Sequence, residues 1–129
     1  MTPPEAPLSL GIDAVEVERF RAVLARRPSL KARLFTSDEQ VNLDGTPRSI
    51  ESLAARFAAK EATMKVLGIG VGGVAFHSIS LTSSSSGAPE LQLSGKAKAL
   101  AEAKGLGVLT CSLTHTKSVA MAVVGSVRN

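Results

Sequence analysis

Apolar and polar residues recur along most of this chain with the periods of strands and helices. Strands are predicted where residues alternate or where short apolar runs end at turn residues, at 8–12, 74–82, 90–95, 107–116 and 118–126. Helices are predicted where apolar residues recur three or four positions apart, at 15–27, 49–67 and 96–105. The last two strands are expected to pair as a hairpin around Thr116 and Lys117. This order predicts an α+β fold, with helices packed on one face of a mostly antiparallel sheet.

Several residues mark where the helices begin and end. Pro28 stops the first helix, and Thr36 with Glu39 fits a capping box that opens a short helix. Ser49 is a suitable cap for the start of the long helix, and Gly68 for its end. The strand 118–126 is apolar on both faces, which predicts that it is buried on both.

The long helix carries charges beside its own apolar face. At roughly 100° per residue, its apolar arc consists of Leu53, Phe57, Met64 and Leu67. Lys60 falls inside that arc and Glu61 at its edge, and Arg56 and Lys65 flank them. A carboxylate surrounded by cations at the border of an apolar face needs an explanation beyond helix packing.

Length and composition limit the class of protein. The chain has 129 residues, 44% of them hydrophobic, which suits one soluble domain at 8–129 after a disordered lead-in at 1–7. The lone cysteine, Cys111, excludes an internal disulfide framework. We find neither a signal-peptide pattern nor a membrane-spanning run, and therefore expect a cytoplasmic protein.

The positive charge is local. The chain has a net charge of +4, yet the stretch 19–33 alone carries six basic residues and no acidic one. A local basic patch favours an acidic partner through electrostatic steering. From charge alone, a solvated helix face explains the stretch equally well.

Two carboxylates are candidates for chemistry. Asp13 comes at the predicted end of the first strand, and Glu61 borders the apolar arc of the long helix. A helix cap near Val15 is the simpler explanation for Asp13, and an ion pair with Lys65, four residues on, is the simpler one for Glu61.

Carboxylates and cations together favour phosphate chemistry. Two carboxylates with water and substrate phosphates are a usual set of Mg²⁺ ligands, and lysine and arginine bind phosphate. His115 ends the apolar face of its strand beside the turn. It is either a core histidine with a backbone partner or a group at the rim of an active site.

Four segments resemble one family in order and spacing: "GIDAVEVER" (11–19), "RFAAKEATMKVLG" (56–68), "GAPELQLSGKA" (87–97) and "SLTHTKSVAMA" (112–122). Together they resemble the holo-[acyl-carrier-protein] synthases, the short class of 4′-phosphopantetheinyl transferases. The resemblance covers nearly the whole chain after residue 7 and implies a single module of that fold.

The resemblance implies an activity and a set of residues. The family transfers the 4′-phosphopantetheine arm of coenzyme A to a serine of an apo acyl carrier protein and releases adenosine 3′,5′-bisphosphate, a step in fatty acid biosynthesis. Asp13 and Glu61 match its Mg²⁺ ligands, and Glu61 would also help to deprotonate the serine. Lys65 matches a position near the pyrophosphate of coenzyme A. Arg56, Lys60 and His115 are further expected contacts of the coenzyme, with His115 counted among the catalytic residues.

The resemblance also implies partners. The family forms homotrimers with active sites between neighbouring subunits, and it binds an acidic carrier protein on its first helix. Arg19 matches the docking arginine, and Arg26 and Val23 share its helix face. Neither nucleic acid nor a membrane is expected as a partner. The main rival class, a module that binds nucleic-acid single strands, would need stacking aromatics, and the chain has four Phe and no Tyr or Trp.

Overall fold

The structure is a computed structural model that describes residues 8–70 and 72–128, without the side chain of Arg128. The predicted lead-in at 1–7 lies outside the described residues. The α-helices are α1 Val17–Arg26, α2 Leu30–Leu34, α3 Ile50–Leu67 and α4 Gly95–Ala103. The strands are β1 Leu8–Glu16, β2 Ile79–Ser83, β3 Pro89–Leu93, β4 Leu106–His115 and β5 Val119–Arg128. Two short 3₁₀ turns are Asp38–Gln40 and Phe76–Ser78.

The strands form two antiparallel sheets, and the α+β class is confirmed. One sheet has the order β1-β5-β4, and the other is the hairpin β2-β3. The sequence predicted one sheet, but β3 lies beside β4 without joining its hydrogen-bonded ladder. The predicted hairpin of β4 and β5 is confirmed, because His115 pairs with Ala120 and the Thr116 amide donates to the Val119 carbonyl at 2.8 Å.

Helix α3 packs along one face of the three-stranded sheet, against β1 and β5. Its caps are those predicted: the Ser49 hydroxyl accepts from the Ser52 amide at 3.1 Å, and Gly68 adopts a left-handed conformation with φ 72°. Small buried residues on α3 let its backbone approach the strands closely: Ala54, Ala55, Ala58, Ala59 and Ala62. Alanine combines the highest helix propensity with the least bulk, so the same residues favour the helix and its close packing.

Two predicted boundaries are wrong near the first helix and before β2. Strand β1 does not end at Asp13 but continues to Glu16, which pairs with Val119, and α1 begins at Val17 instead of residue 15. Long-range pairing with β5 therefore overrides the local helical pattern. The strand predicted at 74–82 begins only at Ile79, after the second 3₁₀ turn.

Strand β5 is buried on one face only, contrary to the prediction. Its inward residues Ala120, Ala122 and Val124 are at most 2% exposed. Its other face belongs to an apolar surface that we call the outer sheet face. This surface is formed by residues 38% to 84% exposed: Leu8, Leu10, Ile12, Val108, Met121, Val123 and Val127.

Within the described residues, none of the helices combines the length and the hydropathy that crossing a membrane would require.

Candidate active site

A glycine sets the distance between β1 and α3. Gly11 is buried on the face of β1 that meets α3, and a Cβ built on it would collide with the carbonyl oxygen of Ala62. Only glycine permits this approach of two backbones. Asp13 follows two residues later on the same face of the strand, and Glu61 precedes Ala62 in α3. The close contact at Gly11 therefore brings the two candidate carboxylates together.

Lys65 joins α3 to β1 beside Asp13. Its Nζ donates to the Ile12 carbonyl at 2.7 Å and lies 3.2 Å from Asp13 Oδ1. The Asp13 side chain is 14% exposed and the Lys65 side chain 55% exposed. Lys65 thus pairs with Asp13, and the alternative pair with Glu61 is not formed among the described residues. The alternative role of Asp13 as a helix cap is also excluded, because Glu16 holds the cap position of α1.

Glu61 is half-buried at the edge of α3, and its surroundings disfavour its charge. Burial raises the pKa of the Glu61 carboxyl, the Asp13 carboxylate raises it further, and Lys65 partly offsets both. Two carboxylates close enough to repel each other gain most from a cation placed between them.

The two carboxylates fit a Mg²⁺ ion that also holds phosphates. Among residues 8–70 and 72–128, no group of three or more His, Cys, Asp or Glu is placed to hold a metal. A site with only Asp13 and Glu61 would leave most ligand positions to water and substrate oxygens. Mg²⁺ is usually bound in this way, through one or two carboxylates together with substrate phosphates.

Asp13 and Glu61 open into a cleft of about 480 Å³ that we call the carboxylate cleft. One wall is a stack of aromatic rings, with Phe20 5.3 Å from Phe57 and Phe57 5.8 Å from Phe76 between ring centroids. The cleft therefore combines a charged end with an apolar wall.

Arg56 and His115 line a separate cleft of about 430 Å³, the arginine–histidine cleft, which shares no lining residue with the carboxylate cleft. Arg56 is 6% exposed, and its Nη1 donates to Ser52 Oγ at 2.9 Å. Its Nε is buried and has no hydrogen-bond partner among the described residues. Burial, together with a smaller effect of the neighbouring Arg48 charge, lowers the pKa of Arg56 to about 10. An under-satisfied guanidinium of this kind is suited to an anion.

The prediction that Arg56 is one of the cations surrounding Glu61 is therefore wrong. It precedes Glu61 by five residues, about 140° away around the helix at 100° per residue, and so faces the other cleft. His115 is exposed at the end of β4, which favours the rim position over a core histidine.

The predicted coenzyme contact of Lys60 is also wrong. Lys60 is fully buried, and its Nζ lies 2.8 Å from Glu39 Oε1 and 3.1 Å from the Phe76 carbonyl oxygen. Sequence reasoning identified Glu39 only as half of a capping box. That box is confirmed, since the Thr36 amide donates to Glu39 Oε1 at 2.9 Å. The position of Lys60 inside the apolar arc was the available signal that its charge is buried.

Helix α1 presents Arg19, Val23 and Arg26 at the mouth of the carboxylate cleft and beyond it. Arg19 and Val23 line that cleft, and Val23 and Arg26 line a neighbouring concavity. Arg21, on the other side of the helix, is paired with glutamates on α1 and α3. The predicted docking residues thus lie together on the side of α1 next to the carboxylates.

The model of the 4′-phosphopantetheinyl transferase superfamily matches residues 9–124. The chain belongs to this superfamily. It is 45% identical over 117 residues to the holo-[acyl-carrier-protein] synthase of Salinispora arenicola, covering 91% of this chain and 95% of that one. The synthase of Moorella thermoacetica is 43% identical over 116 residues, covering 90% and 91% of the two chains.

Solved structures of the family share the fold. The chain is similar to the Helicobacter pylori holo-[acyl-carrier-protein] synthase in complex with coenzyme A, with a TM-score of 0.76 and 30% identity over 89% of this chain and 96% of that one. It is also similar to the Chronobacterium ammoniagenes ACPS–CoA complex, with a TM-score of 0.78 and 28% identity over 97% and 99%. The family and the single-module fold expected from the resemblance are confirmed.

Proposed function

We propose that the chain is an enzyme that transfers the 4′-phosphopantetheine group of coenzyme A to a serine of an apo acyl carrier protein and releases adenosine 3′,5′-bisphosphate. The observation that carries the proposal is the meeting of Asp13, Glu61 and Lys65 beside a basic helix. Relatives that are 40–45% identical are holo-[acyl-carrier-protein] synthases, and two similar solved structures contain coenzyme A.

Asp13 and Glu61 would hold a Mg²⁺ ion together with the pyrophosphate of coenzyme A. The bound ion would supply charge neutralisation at the attacked phosphorus and the leaving group. Glu61, at the edge of the carboxylate cleft, would accept the proton of the incoming serine hydroxyl, directly or through a water. Lys65 would face the pyrophosphate with the N–H that neither the Ile12 carbonyl nor the Asp13 carboxylate accepts.

The arginine–histidine cleft would bind another phosphate of the coenzyme. Arg56 offers an Nε that no described residue partners, and His115 is exposed at the same cleft. Because one subunit keeps this cleft apart from the carboxylates, a ligand that uses both clefts is best accommodated between two subunits.

We further propose a homotrimer with active sites between neighbours. The outer sheet face is the surface available for it, because contiguous exposed apolar residues of this kind mark an interface. In a ring closed by head-to-tail contacts, the carboxylate cleft of one subunit would lie beside the arginine–histidine cleft of the next.

The carrier protein would dock on α1 through Arg19, Val23 and Arg26. These residues border the carboxylate cleft, so an acidic carrier bound there would present its serine to Glu61. A single-strand nucleic-acid surface is less compatible with the structure, because the four phenylalanines pack against one another and none is exposed on an outer surface. The enzyme would act in the cytoplasm, in fatty acid biosynthesis.

The test is the release of adenosine 3′,5′-bisphosphate from coenzyme A in the presence of an apo carrier protein. Release should require both the carrier and Mg²⁺. Asp13→Asn and Glu61→Gln should abolish it, whereas Glu102→Gln, which changes an exposed carboxylate on α4, should leave it unchanged. Release that continues in both site variants, or without Mg²⁺, would contradict the proposed function.

A further inference from the structure

A buried ion pair lies directly behind the carboxylate cleft. Lys60 and Glu39 have side chains 0% and 1% exposed, and their charged atoms are 2.8 Å apart. Burial lowers the pKa of Lys60, and the Glu39 carboxylate opposes that shift. A buried pair of this kind is often no more stabilising than apolar residues of the same volume. Stability alone therefore does not account for these two charges.

The pair connects four segments that are distant in the sequence. Besides Lys60, the Glu39 carboxylate accepts from the Thr36 amide at 2.9 Å and from the Leu81 amide in β2 at 3.0 Å. Lys60 in turn donates to the Phe76 carbonyl at 3.1 Å. The capping turn, α3, the Phe76–Ser78 turn and β2 thus meet at one polar junction. Hydrogen bonds are directional, so this junction fixes relative positions that apolar packing leaves adjustable.

The junction holds one wall of the carboxylate cleft. Phe76 lines that cleft and stacks on Phe57, and Lys60 binds the backbone of Phe76 itself. Lys60 is also the residue before Glu61 on α3. A displacement of the Phe76 turn would therefore change the shape of the space next to Glu61 while leaving both carboxylates present.

We propose that Glu39 and Lys60 are positioning residues, which hold the Phe76 wall of the carboxylate cleft in the place that the coenzyme requires. The effect on catalysis rests on the proposed function, whereas the effect on the position of Phe76 does not. Misplacing a group by about 1 Å costs on the order of a hundredfold in rate, so a small shift of the wall is measurable.

The decisive variant removes both charges and keeps the volume: Glu39→Gln combined with Lys60→Met. Removing both partners of a buried pair is often close to neutral for stability, whereas removing one leaves a charge without a partner. Leu106→Ala is the matched control, because it truncates a buried core residue that lines neither cleft. Glu39→Asp keeps both charges but shortens the carboxylate side chain by one methylene group. It is a second variant in case the double variant folds poorly.

Two measurements separate positioning from simple stability. Fluorine NMR of protein labelled with fluorophenylalanine should show four resonances, one for each Phe, with that of Phe76 assigned by Phe76→Leu. In the double variant we expect that resonance to shift or broaden, and kcat/KM for coenzyme A to fall about tenfold or more, at nearly unchanged melting temperature. Glu39→Asp should change the Phe76 resonance and kcat/KM in the same direction as the double variant. Leu106→Ala should lower the melting temperature but leave the Phe76 resonance and kcat/KM close to those of the wild type.

An unchanged Phe76 resonance in both Glu39 variants would overturn the proposal. So would a shifted resonance with coenzyme A kinetics equal to those of the wild type. If the wild type neither binds coenzyme A nor modifies any carrier, the proposed function fails, and the fluorine resonance alone decides whether the junction positions Phe76.

Discussion

Replacing Gly11 with alanine tests the contact that brings the two carboxylates together. The added Cβ would collide with the Ala62 carbonyl oxygen and lie 3.0 Å from both the Ala62 carbonyl carbon and Val66 Cγ2. The nearest obstacle is backbone of α3, which cannot rotate away as a side chain can. Strand and helix must therefore separate by about an ångström, a small-to-large change in a packed interior.

Overpacking of this kind costs about 2–3 kcal/mol. For a domain of this size, we expect roughly 4 °C per kcal/mol, and so a melting temperature about 10 °C lower at the same protein concentration. Asp13 and Glu61 lie on either side of the widened contact. Because about 1 Å of misplacement lowers a rate on the order of a hundredfold, kcat should fall by a similar factor while carrier binding changes little.

Gly70→Ala is the matched control, because a Cβ there has no neighbour within 4 Å in the part of the chain that the structure describes, and Gly70 has no positive φ. Melting is followed by calorimetry and transfer by the appearance of holo carrier protein. A Gly11→Ala protein as stable as the control would refute the collision. Lower stability with an unchanged kcat would refute the link between this contact and the placement of Asp13.

Three further predictions concern other parts of the protein. Arg19→Glu should raise KM for the carrier at least about tenfold and leave KM for coenzyme A unchanged. The control Arg21→Gln should have little effect on either KM, because Arg21 is already paired with Glu18 and Glu51. An equal loss for both substrates would contradict the docking assignment. In EDTA at neutral pH, Glu61→Gln should have a higher melting temperature than the wild type. The pKa of Glu61 is raised in the folded protein, so its ionised form destabilises the fold. This destabilisation is absent below the ordinary pKa of 4.5 and grows as the pH rises through the pKa of Glu61 in the folded state. A calorimetric difference that persists unchanged in acid would contradict that sign. If each site is shared by two subunits of a ring, Asp13→Asn and His115→Ala proteins that are inactive alone should regain activity when equal amounts are unfolded and refolded together. About a quarter of the sites should then combine an intact Asp13 with an intact His115 from the neighbouring subunit. No recovery in the mixed sample would place the whole site within one subunit.

Local signals were sufficient for much of the fold. Helix α3 is capped by Ser49 and Gly68 as predicted, because each cap depends on residues adjacent in the sequence. The hairpin of β4 and β5 likewise follows from two alternating runs joined by a short turn.

Contacts between distant segments explain the errors. Strand β1 extends to Glu16 because β5 is there to pair with it, which no local pattern reveals. The ion pair of Glu39 and Lys60 joins residues 21 positions apart, and the sequence showed only a lysine inside an apolar arc. The sequence pattern marked Asp13 and Glu61 as candidates, and the family resemblance assigned them to Mg²⁺, but their proximity depends on the backbone contact of Gly11 with Ala62.

The central claim is tested most directly by the intact mass of an apo acyl carrier protein after incubation with this protein, coenzyme A and Mg²⁺. The account predicts the addition of one phosphopantetheine group by the wild type and none by Glu61→Gln. Addition by both proteins would contradict the assignment of Glu61. No addition to any carrier, together with no binding of coenzyme A by the wild type, would contradict the function itself.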